Sequence, residues 1–225
     1  MSSKKPIGLG LISVVVAMLA MAFAASSAFA TTIKTAGHEV EIVQTTNQTF
    51  TPSNGTSETI VTCTGVTAFF TIPGEPNNSL ENGSVRADFS TRPTYTGCST
   101  NIAGTTTTVA TTGGWSLDAF HTPNGSNVIT VAVPQEGAVI TVENVEGIGT
   151  CTLTVSPTGA SAVSGSWTNG TNSEGSPSTA AIKEQVSFSP APGACGAVGT
   201  SPAVYQGTVK AVDQTDSTKP VKIEA

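Results

Sequence analysis

The sequence predicts an all-β protein: an antiparallel β-sandwich, immunoglobulin-like or jelly-roll-like, of about a dozen short strands held by two disulfides. Three observations carry that expectation. Apolar residues alternate with Thr, Ser and other polar residues at a period of two along most of the chain, the signature of half-buried strands. The 23 Gly and 13 Pro of the 225 residues punctuate those runs, and no helical period appears beyond the N-terminal segment. Four widely spaced cysteines follow a segment of export type.

The run from Thr59 to Thr71 is the clearest strand with a break in it. Val61 and Cys63 share one face, but beyond Gly65 the apolar set is Val66, Ala68, Phe70 and Ile72. A glycine where the in/out parity slips by one predicts a bulge or sharp bend. Before it, His38, Val40 and Ile42 share a face opposite Glu39 and Glu41, and Asn47 to Ser57 reads as a polar turn. After it, Pro73 to Asn78 is a loop. Val85, Ala87 and Phe89 then alternate with Arg86, Asp88 and Ser90, and Thr91 to Gly97 leads to Cys98.

Thr105 to Thr112 forms a strand stopped by Gly113-Gly114. Trp115 to Phe120 and Val128 to Val133 flank Pro123-Asn124-Gly125 and read as a hairpin that Pro134 ends. Ala138, Ile140 and Val142 mark the next strand, and Cys151, Leu153 and Val155 the cleanest alternation of all. Val163 and Trp167 mark another. Ile182, Val186 and Phe188 follow, with Glu184 on the apolar side of the pattern. Tyr205, Val209 and Ala211 form the last long strand, and Val221 and Ile223 a short terminal one.

Met1 to Ala30 reads as a Sec-type signal peptide. Lys4 and Lys5 precede an apolar run from Ile7 to Ala24, and Ala28-Phe29-Ala30 is a small-x-small cleavage site after Ala30. An uncleaved anchor helix is the alternative. The remainder, residues 31–225, is expected to form a single β-sandwich unit, with two lobes (31–134 and 135–225) as the alternative. Cleavage moves the formal charge from -6 to -8, because Lys4 and Lys5 leave and no acid does. An acidic surface poor in Lys and Arg argues against nucleic acid and against anionic membranes as partners.

Export leads to an oxidising compartment, so Cys63, Cys98, Cys151 and Cys195 are expected to form two disulfides. Four cysteines allow three pairings. Cys63–Cys98 with Cys151–Cys195 is favoured because it joins neighbouring segments and makes the two halves alike, each opening on Thr-Cys-Thr. A zinc site is disfavoured, since structural zinc ligands come in closely spaced pairs and these do not. With its signal segment, Thr/Gly-rich strands and repeated Thr-Cys-Thr, the chain resembles small secreted four-cysteine β-proteins of unassigned function from high-GC Gram-positive bacteria. It also shares disulfides and composition with antibiotic-carrying apoproteins, whose cysteines, however, enclose short loops.

Catalytic chemistry is thinly represented. His38 alternates with Val40 and Ile42 and reads as a partly buried structural histidine. His121 follows Asp118 and Ser116, but on a strand Asp118 and His121 point to opposite faces, and no nucleophile-elbow sequence is present. The carboxylates form no recognisable pair, and Asp213 to Asp216 is too short for a calcium loop. No catalytic, cofactor-binding or metal-ligating residue is therefore assigned, and no cofactor. Phe69 and Phe120 lie on otherwise polar strand faces and are the candidates for contact with a carbohydrate or protein partner. The expected role is that of a secreted, non-catalytic extracellular or cell-surface domain, structural or binding/adhesive. A hydrolase with an unrecognised site and a carrier of a small apolar ligand are the alternatives; converging carboxylates would mark the former, a large apolar cavity the latter.

Overall fold

The computed structural model describes residues 30–53, 59–81, 83–145, 149–191, 195 and 200–225. The signal segment thus lies outside the described residues up to Phe29. All regular structure among the described residues is β. In chain order the strands are β1 (Ala30–Ile33), β2 (Glu39–Gln44), β3 (Gln48–Ser53), β4 (Val61–Thr71), β5 (Ser79–Glu81), β6 (Val85–Thr100), β7 (Thr106–Thr111) and β8 (Ser116–His121). They continue as β9 (Asn127–Val133), β10 (Ala138–Val145), β11 (Gly149–Val155), β12 (Ser161–Thr168), β13 (Ser178–Val186), β14 (Phe188–Pro190), β15 (Thr200–Asp213) and β16 (Ile223–Glu224).

The expected sandwich gives way to a barrel. The largest sheet runs β13-β12-β9-β8-β6-β4-β2-β15, and β15 pairs back with β13 from Ser178↔Ala211 to Val186↔Ala203, closing the circuit at eight strands. Alternation could not distinguish the two, because a sandwich strand and a barrel strand each show one inward row. Closure also removes the two exposed sheet edges that a sandwich must protect by other means. The barrel takes strands from both sides of Pro134.

β2 and β3 act as one barrel strand broken by a bulge. β2 pairs with Thr67–Thr71 of β4 and β3 with Val61–Cys63, while the other side of both faces β15. Asn47 to Ser57 had read as a turn because Gln48, Thr49, Thr51 and Ser53 dilute the apolar signal of Phe50. The ladder to β4 stops at Phe50, two residues before Pro52, which has no N–H to contribute. β6 likewise runs past Ser90 to Thr100, and its register against β4 shifts beside Pro93. The parity switch at Gly65 is seen in burial, with Val61 and Cys63 buried on one phase and Val66, Ala68, Phe70 and Ile72 on the other, but the β4–β6 register is unbroken there and shifts instead between Thr67 and Phe70.

Both barrel ends are covered. At one, β1, β16 and the intervening apolar residues form a floor, with Ile33, Val221 and Ile223 packed against Val40, Ile72, Val85 and Ala119. Side chains from the barrel rim bind this floor: Asn169 Nδ2 donates to the Ile223 carbonyl at 2.8 Å, and the Ile223 amide donates to Asn169 Oδ1 at 2.9 Å. At the other end a four-stranded sheet, β14-β11-β10-β7, lays Ile140, Val142, Leu153, Val155 and Phe188 against Phe50, Val61, Val163 and Val186. Disulfides Cys63–Cys98, between β4 and β6, and Cys151–Cys195, at this covering sheet, are the two cross-links.

Candidate functional site

Between floor and lid the barrel is not filled. A cavity of about 120 Å³ lies inside, walled by apolar side chains from barrel strands and by Ala138, Ile140 and Val155 of the lid. Phe89, Val131 and Tyr205 pack against the core clusters yet keep accessible surface, as expected of residues on the wall of an internal space. An eight-stranded barrel is the size at which side chains either fill the interior or leave room for one small ligand.

A short chain of polar side chains is built into one wall of this otherwise apolar cavity. Gln48 is only 2 % exposed and lies where the β2–β3 bulge turns its side chain inward. Its Nε2 donates to the carbonyls of Thr46 at 2.9 Å and Thr208 at 3.3 Å. Its Oε1 accepts the Tyr205 hydroxyl at 2.9 Å, and that hydroxyl lies 3.3 Å from the hydroxyl of Tyr95. Local sequence makes the space for this: Gly207 holds the inward position between Tyr205 and Val209, and a Cβ there would fall on the Gln48 carboxamide. Gln48, Cys63 and Cys98 stand side by side in register across β3, β4 and β6, so the disulfide anchors the strands at the level of the polar chain.

Burial raises the pKa of both phenols, and raises that of Tyr205 well above its ordinary value, with the charge of Tyr95 adding to the effect. Both are therefore neutral at physiological pH. The one carboxylate that stands opposite them in register is Glu184 of β13, half-buried and paired across the ladder with Tyr205.

Of the residues singled out from sequence, Cys63 lines the cavity, and the two histidines, Phe69 and Phe120 lie elsewhere. His38 Nδ1 meets Asp213 Oδ2 at 2.8 Å, and Asp213 Oδ1 accepts the amides of Thr215 and Asp216, so this pair fastens the chain after β15 to the start of β2. His121 Nδ1 meets Asn127 Oδ1 at 2.6 Å across the β8–β9 hairpin, and neither Ser116 nor Asp118 is its partner. Phe69 and Phe120 are both half-buried on the outside of the barrel, on strands separated by β6. Phe69 is level with Thr91 of β6, whereas Ala119, next to Phe120, is level with Val85, so the two rings form no single patch. Among the described residues no group of three or more His, Cys, Asp or Glu could hold a metal ion.

No family model, curated protein or solved structure matches this chain.

Reasoning from sequence missed Gln48, Tyr95 and Tyr205 as a group. The signal was present at Gln48 and Gly207. Gln48 shares parity with Phe50 and Pro52, and Gly207 interrupts an inward row of Tyr205, Val209 and Ala211. A polar residue on an apolar phase, with a matching gap on another strand, marks a buried polar contact once the two strands are known to be neighbours.

Proposed function

We propose that this protein is a secreted, non-catalytic binding protein that encloses a small apolar molecule inside its barrel. The observation that carries this reading is the apolar cavity inside the barrel, interrupted at one wall by the Gln48–Tyr205–Tyr95 chain. Ligand sites are mostly apolar with a few placed polar groups, and this space has that character. Its volume, about 120 Å³, is close to that of an apolar cavity known to take up benzene, about 150 Å³. Secretion is supported by the two disulfides, which persist in oxidising compartments, and by the apolar N-terminal segment. Among the described residues no helix is long and apolar enough to cross a membrane.

Titration with toluene, followed by amide NMR, tests the reading. Saturable shifts are expected at Ile129, Val131, Val163 and Ile182, which line the space. Val131→Phe, which places a ring where Val131 still has accessible surface, is expected to abolish them while the barrel stays folded. Shifts scattered over the exterior, or none up to the solubility of toluene, would remove the carrier reading. The wider expectation of a structural or adhesive domain would then stand alone.

A further inference from the structure

We infer that the ligand of this cavity carries one hydrogen-bond donor, as a small phenol or alcohol does, and that Tyr95 Oη is the acceptor that selects it. The inference rests on the carrier reading above and adds the chemical class. It follows from tracing every proton in the buried chain. Gln48 Nε2 faces two backbone carbonyls, which only accept, so its amide orientation is determined and Oε1 must be the atom facing Tyr205. Tyr205 therefore donates to Oε1. With its single proton committed, Tyr205 can only accept from Tyr95, so Tyr95 donates to Tyr205.

Every donor in the chain is then used, and acceptors remain to offer a ligand: both lone pairs of the Tyr95 oxygen, which accepts nothing in the chain, and one each on Tyr205 Oη and Gln48 Oε1, which already accept. The hydrogen bonds of Tyr95 show no other partner, and its residue lines the cavity. A ligand O–H satisfies that acceptor without breaking any existing bond. A ligand with only an acceptor would have to take the Tyr95 proton and leave two phenol oxygens facing each other without one. The surrounding wall is apolar, so a donor is directed to this chain, and within it to the oxygen that accepts nothing. No residue lining the cavity carries a charge, so a cationic donor such as an ammonium ion would find its counter-charge only at Glu184, beside Tyr205 in the ladder but outside the lining.

Phenol and toluene are near-isosteres that differ in the donor, and they form the test. Dissociation constants of both are measured by calorimetry on the full chain with disulfides intact, for the wild type and for Tyr95→Phe. Loss of the Tyr95 oxygen is expected to lower the ratio Kd(toluene)/Kd(phenol) by about tenfold, the effect of one hydrogen bond with an uncharged partner. An unchanged ratio would overturn the inference while leaving the carrier reading intact. Failure of both probes to bind the wild type would instead remove the carrier reading itself. Should Tyr95→Phe not fold, the wild type decides alone. After the water-to-cyclohexane transfer of each probe is subtracted, phenol must still bind at least about a thousandfold tighter than toluene, the worth of a hydrogen bond in an apolar medium, and parity would overturn the inference.

Discussion

Gly207 and Gln48 illustrate how one missing side chain determines what another can do. Gly207→Ala places a methyl group on the Gln48 carboxamide, which must withdraw from Thr46, Thr208 and Tyr205 together. The expected cost is about 2 kcal/mol, the range for leaving buried polar groups without partners, read as a lowered denaturation midpoint. Gly65→Ala is the contrast. Its Cβ meets the Thr96 hydroxyl, but Thr96 is exposed and free to rotate, so a loss of less than about 1 kcal/mol is expected in the same assay. Equal costs would mean that Gln48 is not held as described. The chain's two tyrosines are Tyr95 and Tyr205, so phenolate absorbance reports on this pair alone. Both pKa values are raised in the folded state by burial, so the folded protein keeps protons that the unfolded chain releases near pH 10. Their contribution is complete below about pH 10 and is lost as pH rises through the folded values. Stability to denaturant is thus expected to fall from about pH 10 upward, and the phenolate signal to appear above the ordinary tyrosine range; a signal already complete at about pH 10 would contradict burial of the pair.

At the scale of strands and cross-links, the disulfides differ in what they fasten. Cys63–Cys98 closes a span of 35 residues and lies within a ladder already formed by β4 and β6, where the two residues are direct partners. Cys151–Cys195 closes 44 residues and ties β11 to a residue beyond β14, a strand that pairs with β11 over Phe188–Pro190. The chain-entropy model assigns each about 4 kcal/mol, because the two spans are similar. The barrel ladder pairs Cys63 with Cys98 directly, whereas Cys195 belongs to no strand. Cys151→Ser with Cys195→Ser is therefore expected to open position 195 to proteolysis as well as lower stability, while the Cys63/Cys98 serine pair lowers stability alone. Cleavage elsewhere in the former variant would contradict this division. Strands with strong alternation, such as β9, β11 and β12, were legible in the sequence because their inward rows are uniformly apolar. β3 was not, since its inward row holds Gln48 and Pro52, and β6 was cut short because the bulge at Pro93 interrupts its parity. The polar chain showed only as Gln48 and Gly207 out of keeping with their apolar rows, because it is built where local pattern yields to pairing between distant strands, Gln48 with residues 205–208. The barrel itself was out of reach, since closure is a property of which strand meets which, and alternation records only which side faces in.

Considered whole, the molecule is a sheet rolled until its last long strand meets both its first and its penultimate barrel strands. β15 pairs with β13 on one side and with β2 and β3 on the other. Chains are made and exported from the N-terminus onward, so residues 200–213 arrive after every strand they must join. Until then the sheet is open along β2–β3 and along β13, with two rows of unpaired amides and carbonyls exposed and the apolar interior facing water. Contacts such as Val40 with Asp213 join residues far apart in sequence, which slows closure relative to the local hairpins β8–β9 and β10–β11. The nascent barrel therefore spends its most vulnerable interval nearly complete, waiting for one segment. A premature stop anywhere before residue 200 yields a chain that holds most of the apolar core but has nothing to seal it, the form of this protein most prone to pair with its own copies edge to edge.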